Sequence, residues 1–160
     1  MAMPISEKDL FDARTAWSNG LIEISKIFET EGIEMATSVA SGMIDKLYGF
    51  NFAKVLFKPT LSGGSQTFRP TKEGALSYFV GHNPSYPNDS GFGIKFWREI
   101  SSETSAIFID DTVAMWMGSF TLIDRDGKVT KVEKSWGYKL DDDGNLRIML
   151  HHSSLPYEIK

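Results

Sequence analysis

Near the end of the chain the run LRIMLHHSSLPY, residues 146–157, sets two of three histidines side by side and follows them with two serines. An imidazole next to a hydroxyl can grip a small polar ligand and carry a proton near neutral pH. A histidine pair also invites a metal. In a strand, however, successive side chains point to opposite faces, so His151 and His152 cannot reach one ion unless a bulge intervenes. A three-histidine zinc site would have to use every histidine in the chain, with His82 brought in from a distant loop. With no cysteine available either, the expectation is no metal and no cofactor. The same alternation sorts the motif: Met149, His151 and Ser153 share one face, and Ile148, Leu150, His152 and Ser154 share the other. On spacing alone, HHSS reads first as a strand end fraying into solvent and second as a site.

Other chemistries are poorly supported. A serine nucleophile needs a base and an orienting acid, yet no G-x-S-x-G occurs and nothing singles out the acid. Gly63-Gly64 lacks the GK[ST] that a phosphate loop requires. The acidic clusters DDDGN and IDDT are explained by turn chemistry, and the ligand spacing of an EF-hand is missing. Thr60, closing LFKPT, reads as a turn threonine. Tyr78, in a short helix on the side of Ala75 and His82, reads as a partly buried tyrosine whose hydroxyl finds a carbonyl. The aromatic set Phe68, Phe79, Phe96, Trp97, Trp116, Phe120, Trp136 and Tyr138 reads as core, with part of it lining a pocket.

These residues need a scaffold, and 160 residues suit one domain with its own core, spanning 1–160. A charged fraction of 24% and the lack of any apolar window near the roughly 18 residues of a membrane span point to a soluble protein. A net charge of -4 without a basic stripe argues against nucleic acid. The opening MAMPISEKD has neither a signal-peptide core nor a transit-peptide pattern. MAM resembles a start added for expression, in which a natural leader is trimmed away, so cytoplasm and organelle stroma or matrix both stay open.

Residues 6–48 read as two helices. Leu10, Ala13, Trp17, Leu21, Ile24 and Phe28 paint one face of the first, with a capping box at Ser6 and Asp9 and a stop at Gly32. Asn19-Gly20 weakens it locally. Ala36, Ala40, Met43 and Leu47 mark the second, stopped by Gly49. NFAKVLFKP follows as a strand, with Ala53, Val55 and Phe57 alternating, and a short helix covers about 71–81. From IKFWREISSETSAIFI onward come four β-type runs, the last three joined by the hairpin turns RDG and DDDG. The expected fold class is α+β: a curved, cone-shaped antiparallel sheet over 51–160 with the N-terminal helices packed in its concave face.

The series FKPT, FRPT-EGALSYFVG, GFGIKFW, VAMWMGSFTLID, KVEKSWGY and DDDGNLRIMLHHSSLPY resembles the iota-class carbonic anhydrases, particularly their metal-free branch. The resemblance covers about residues 50–157, and the leading helices suit that family's nuclear-transport-factor-like cone, related to the kinase II association domain. It implies reversible hydration of CO2 to bicarbonate in a pocket walled by hydroxyls, with Thr60, Tyr78, His151 and Ser153 as the catalytic and bicarbonate-binding residues. It implies CO2 and bicarbonate as the small-molecule partners, and a homodimer formed through the sheet. Two rival functions remain on the same fold. One is a non-catalytic domain that binds a small anion or assembles proteins; the other is an isomerase or hydrolase, which needs a buried Asp or Glu base.

Overall fold

A computed structural model describes residues 4–160, so the opening Met1, Ala2 and Met3 lie outside the described residues. Helix α1 runs Glu7–Glu31, and its start is fixed reciprocally: Ser6 Oγ accepts from the Asp9 N–H at 3.1 Å, and Asp9 Oδ2 accepts from the Ser6 N–H at 2.8 Å. Leu10, Trp17, Leu21 and Ile24 form its buried face. Asn19-Gly20 does not interrupt it, because the absent side chain serves packing. A Cβ on Gly20 would stand 2.5 Å from Met43 Sδ on helix α2, Ile33–Leu47.

The stop expected at Gly49 falls one residue early, and sheet pairing is the reason. Tyr48 turns to extended backbone and bridges Ile148, while the Gly49 N–H donates to the Ile148 carbonyl at 3.0 Å. A Cβ on Gly49 would meet Met149 Sδ at 2.2 Å, so the Met149 side chain packs into the space that a side chain at this position would take.

Strand β1 keeps only Leu56–Lys58 of the longer run expected, with Ala53 exposed and Val55 and Phe57 buried. It pairs in parallel with β5, Leu56 opposite Leu150 and Phe57 opposite His151. This parallel junction departs from the antiparallel expectation because the chain enters the sheet from the helical layer and not from a hairpin. Helix α3 spans Lys72–Val80, capped by the Thr71 side chain. The strands that follow are β2 (Trp97–Asp110), β3 (Val113–Asp124), β4 (Val129–Leu140) and β5 (Leu146–Ser154), in the spatial order β1-β5-β4-β3-β2. Their junctions are tight and antiparallel, as the turn residues require. Two register shifts in β2 and one in β5 bend the sheet around the helices.

Every second residue of β3 and β4 faces inward: Ala114, Trp116, Phe120 and Leu122 on one, Val132, Lys134, Trp136 and Tyr138 on the other. Trp17 of α1 enters this face edge-on to Phe120 and Trp136, with ring centroids 5.3 Å away in each case. Two members of the expected aromatic core fall elsewhere: Phe68 is largely exposed, and Phe96 is half-buried with the Arg125 guanidinium over its ring. Among the described residues no helix is long and apolar enough to cross a membrane.

Candidate active site

Strand β5 carries its polar residues on an irregularity that simple alternation does not include. Gly137 of β4 faces Leu150, but the next residue, Tyr138, faces Ile148, which leaves Met149 as an extra residue in β5. That bulge reverses the parity. Ile148, His151 and Ser153 all point inward, so the grouping of Met149 with His151, and of Ile148 with His152, is corrected. His151 and Ser153 do share a face, and His152 is exposed on the other.

Four elements converge on this strand end. The loop after β1 brings Thr60, whose Oγ1 lies 2.6 Å from Ser153 Oγ. Tyr78, from α3, receives the Leu61 N–H on its hydroxyl at 3.2 Å and stands next to Thr60. Tyr48, at the end of α2, places its hydroxyl 2.9 Å from His151 Nδ1 and accepts the indole N–H of Trp17 at 3.1 Å. The His151 ring is sandwiched by packing, stacked on Phe57 at 4.6 Å and edge-on to Trp136 at 5.2 Å. All four residues read from the sequence are buried, and the structure gathers them within one hydrogen-bonded cluster. On the Tyr78 side lies a cavity of about 20 Å³ lined by Leu61, Phe92, Lys95 and the loop Asn88–Gly91, room for about one water molecule.

One member escaped the sequence reading. Lys134 of β4 is only 4% exposed; its Nζ donates to Ser153 Oγ at 2.9 Å and sits 3.1 Å from His151 Nε2. The rings of Trp17 and Phe120 lie 5.0 and 5.7 Å from it. Its signal was present in KVEKSWGY: a charged residue at an inward position of an otherwise apolar period-2 series, between Val132 and Trp136. A second lysine, Lys58, donates to the Ser153 carbonyl at 2.8 Å.

Burial governs the electrostatics. It pushes the Tyr48 and Tyr78 hydroxyls well above the ordinary tyrosine range, so both remain neutral donors. Burial, with the neighbouring Lys134 adding to it, pushes His151 well below the usual imidazole range. Burial, then repulsion from Lys58, pushes Lys134 down to about 7.

A separate buried ion pair holds the frame. Arg69 grips Asp89 with two hydrogen bonds of 2.7 Å, and Ser77 of α3 donates to the same carboxylate at 2.6 Å. The loop Asn88–Gly91 is thereby pinned to the helix that carries Tyr78. His82 stays apart, its Nδ1 2.8 Å from the Val80 carbonyl, and among the described residues no three His, Asp or Glu side chains cluster as metal ligands.

Comparison with known proteins agrees with this build. The family model described as metal-independent carbonic anhydrase matches residues 8–155. A metal-independent carbonic anhydrase of Nostoc sp. is 44% identical over 154 residues, covering 96% of this chain and 75% of that protein. The crystal structure of a cyanobacterial iota-carbonic anhydrase complexed with bicarbonate is 43% identical and superposes with a TM-score of 0.97, covering 99% of this chain and 97% of that one. A calcium/calmodulin-dependent kinase II association-domain protein of Xanthomonas campestris, 23% identical and covering 94% of this chain and 85% of its own, shares the fold at a TM-score of 0.53. A match along nearly the whole chain, over a strand end built in this way, makes this protein a member of the metal-independent carbonic anhydrase family.

Proposed function

We propose that the protein hydrates CO2 reversibly to bicarbonate within the buried cluster, without a metal. The observation that carries this reading is the convergence of Thr60, Tyr78, Ser153 and His151 at one strand end inside an aromatic cone. Zinc brings the pKa of bound water from 15.7 to about 7; forming free hydroxide without it costs about 12 kcal/mol. A metal-free route must therefore avoid free hydroxide. Water adds to CO2 while its proton is removed in the same step, and the hydroxyls of Thr60 and Tyr78 donate to the bicarbonate oxygens as charge develops on them, with Ser153 holding Thr60 in position. The aromatic walls, Phe57 and Tyr78 edge-on at 6.0 Å among them, give apolar CO2 a favourable surface. His151, locked between Tyr48 and Lys134, holds the Lys134 side chain beside Ser153.

The isomerase reading lacks its base. Asp89 is a buried carboxylate, but Arg69 occupies both of its oxygens and Ser77 one of them again. Thr60→Val and Tyr78→Phe each remove one donor, and each is expected to lower kcat/KM for CO2 hydration by about 10²–10³ in stopped flow. Parent-like rates in both variants would move the pocket elsewhere.

The homodimer belongs to the same proposal. Phe108 of β2 with Met115 and Met117 of β3 are exposed large apolar side chains on the outer sheet face, and a two-fold contact through that face covers them on both copies. Sedimentation should give twice the chain mass for the parent and a monomer for Met117→Asp; a monomeric parent contradicts the contact.

A further inference from the structure

The hydrogen bonds around His151 have a direction, and the direction fixes the state of Lys134. An indole N–H only donates, so Trp17 must give its proton to the Tyr48 oxygen. The Tyr48 hydroxyl hydrogen then needs its own acceptor in a fully buried site, and the atom within reach is His151 Nδ1 at 2.9 Å. Neutral His151 with Nδ1 accepting carries its proton on Nε2. That N–H points at Lys134 Nζ, 3.1 Å away, which must accept it. An ammonium has no lone pair to offer, whereas an amine has one and still donates to Ser153 Oγ. The chain that begins at Trp17 is satisfied throughout only when Lys134 is uncharged.

We propose that Lys134 is the proton acceptor of the hydration step, a neutral amine aimed into the site between Ser153 and His151. The proposal rests on the carbonic anhydrase reading above and supplies the base that reading needs. In the step, the water oxygen bonds to carbon, one C=O electron pair moves onto oxygen, and the water O–H bond breaks with its proton passing to Nζ. The balance is H2O + CO2 + R–NH2 giving HCO3⁻ and R–NH3⁺. The lone pair exchanges the His151 N–H for the incoming proton, and the new anion, formed beside Nζ, accepts the freed Nε2–H while the ring stays in place. The ammonium then faces bicarbonate as its counter-ion and returns its proton to solvent as the product leaves.

The surroundings favour this assignment over the neighbours. His151 is held too acidic as an imidazolium to take the proton, and Tyr48 and Tyr78 are held protonated, whereas Lys134 lies near the working pH where a general base is most effective. The groups facing Nζ are His151 and Ser153 from β5, Lys58 from β1, Tyr48 from α2 beyond the imidazole, and the rings of Trp17 and Phe120 from α1 and β3.

Lys134→Arg separates a base from a mere cation, since arginine is permanently charged and cannot take the proton. Stopped-flow hydration is expected to fall by about 10²–10⁴ in this variant while bicarbonate still raises its Tm. Lys134→Ala should lose the same activity and recover part of it when a small primary amine is added as buffer. The parent alone gives an independent readout: kcat/KM for hydration should decline as pH falls through about 7, where the amine becomes protonated. An active parent with no such decline, or a Lys134→Arg variant that keeps the parent rate, overturns the assignment of the base and leaves the functional reading intact. A parent with no hydration activity overturns both.

Discussion

Asp89→Ala is expected to destabilise the protein by about 3–5 kcal/mol, the largest stability effect of any single substitution considered. The side chains of Arg69 and Asp89 are 3% and 4% exposed, so the variant leaves a guanidinium buried without its counter-charge. The loss spreads because the pair is a junction. Arg69 also donates to the carbonyls of Gln66 and Gly74 and stacks its guanidinium on Tyr86 at 4.5 Å, while Asp89 receives Ser77 from α3. At roughly 2–4 °C per kcal/mol for a chain of this size, the melting temperature should drop by about 6–20 °C. Part of that loss should return in Arg69→Met/Asp89→Leu, which removes both charges and leaves neither unpaired. A calorimetric shift of a degree or less for Asp89→Ala would show that the pair adds nothing beyond its desolvation cost. Since α3 carries Tyr78, hydration activity should fall along with stability.

Ser153→Ala is expected to lower kcat/KM by about 10³, the upper end of the range for the hydroxyl residues, with a stability cost of about 1–3 kcal/mol. The Ser153 hydroxyl is where two arms of the cluster meet: Lys134 Nζ donates to it at 2.9 Å, and Thr60 Oγ1 lies 2.6 Å away. Thr60 Oγ1 is the acceptor within reach of the Ser153 hydrogen, an arrangement that frees the Thr60 hydrogen to point at a ligand. Alanine cuts that chain at its middle, leaving Lys134 without its acceptor and Thr60 without its donor. Ser153→Thr restores the oxygen and should recover part of the rate, whereas a stopped-flow rate for Ser153→Ala equal to the parent's would remove the hydroxyl from the mechanism.

The course of the chain was largely legible. Period-3.6 and period-2 patterns located both N-terminal helices and the four long strands, because each element buries one face against the other layer. The departures have local causes. Tyr48 ended α2 by joining the sheet, and β1 shrank to three residues because it pairs only where β5 offers a free edge. The bulge at Met149 could not be read from alternation, since it arises from pairing with β4. Its consequence is confined to Ile148 and Met149, which is why the His151–Ser153 pairing of faces still emerged.

The site divides differently. Thr60 and Tyr78 have no local signature that sets them apart from a turn threonine and a core tyrosine, and only the family resemblance pointed to them. Their proximity to Ser153 depends on a loop and a helix brought together by the Arg69–Asp89 pair. Lys134 was legible and overlooked, because a lysine in a strand reads as solvent-facing until its register is counted. Tyr48 and Trp17 are far apart in sequence and become partners only through the packing of α1 against the end of α2.

Hydration of CO2 by the side chains of this cluster alone is open to direct test. The most direct measurement is stopped-flow CO2 hydration by the parent after exhaustive chelation, with residual metal quantified in the same sample. The expected rate stands well above buffer, is unchanged by chelation and is not raised by added zinc or manganese. A rate that vanishes on chelation and returns with either metal would contradict it.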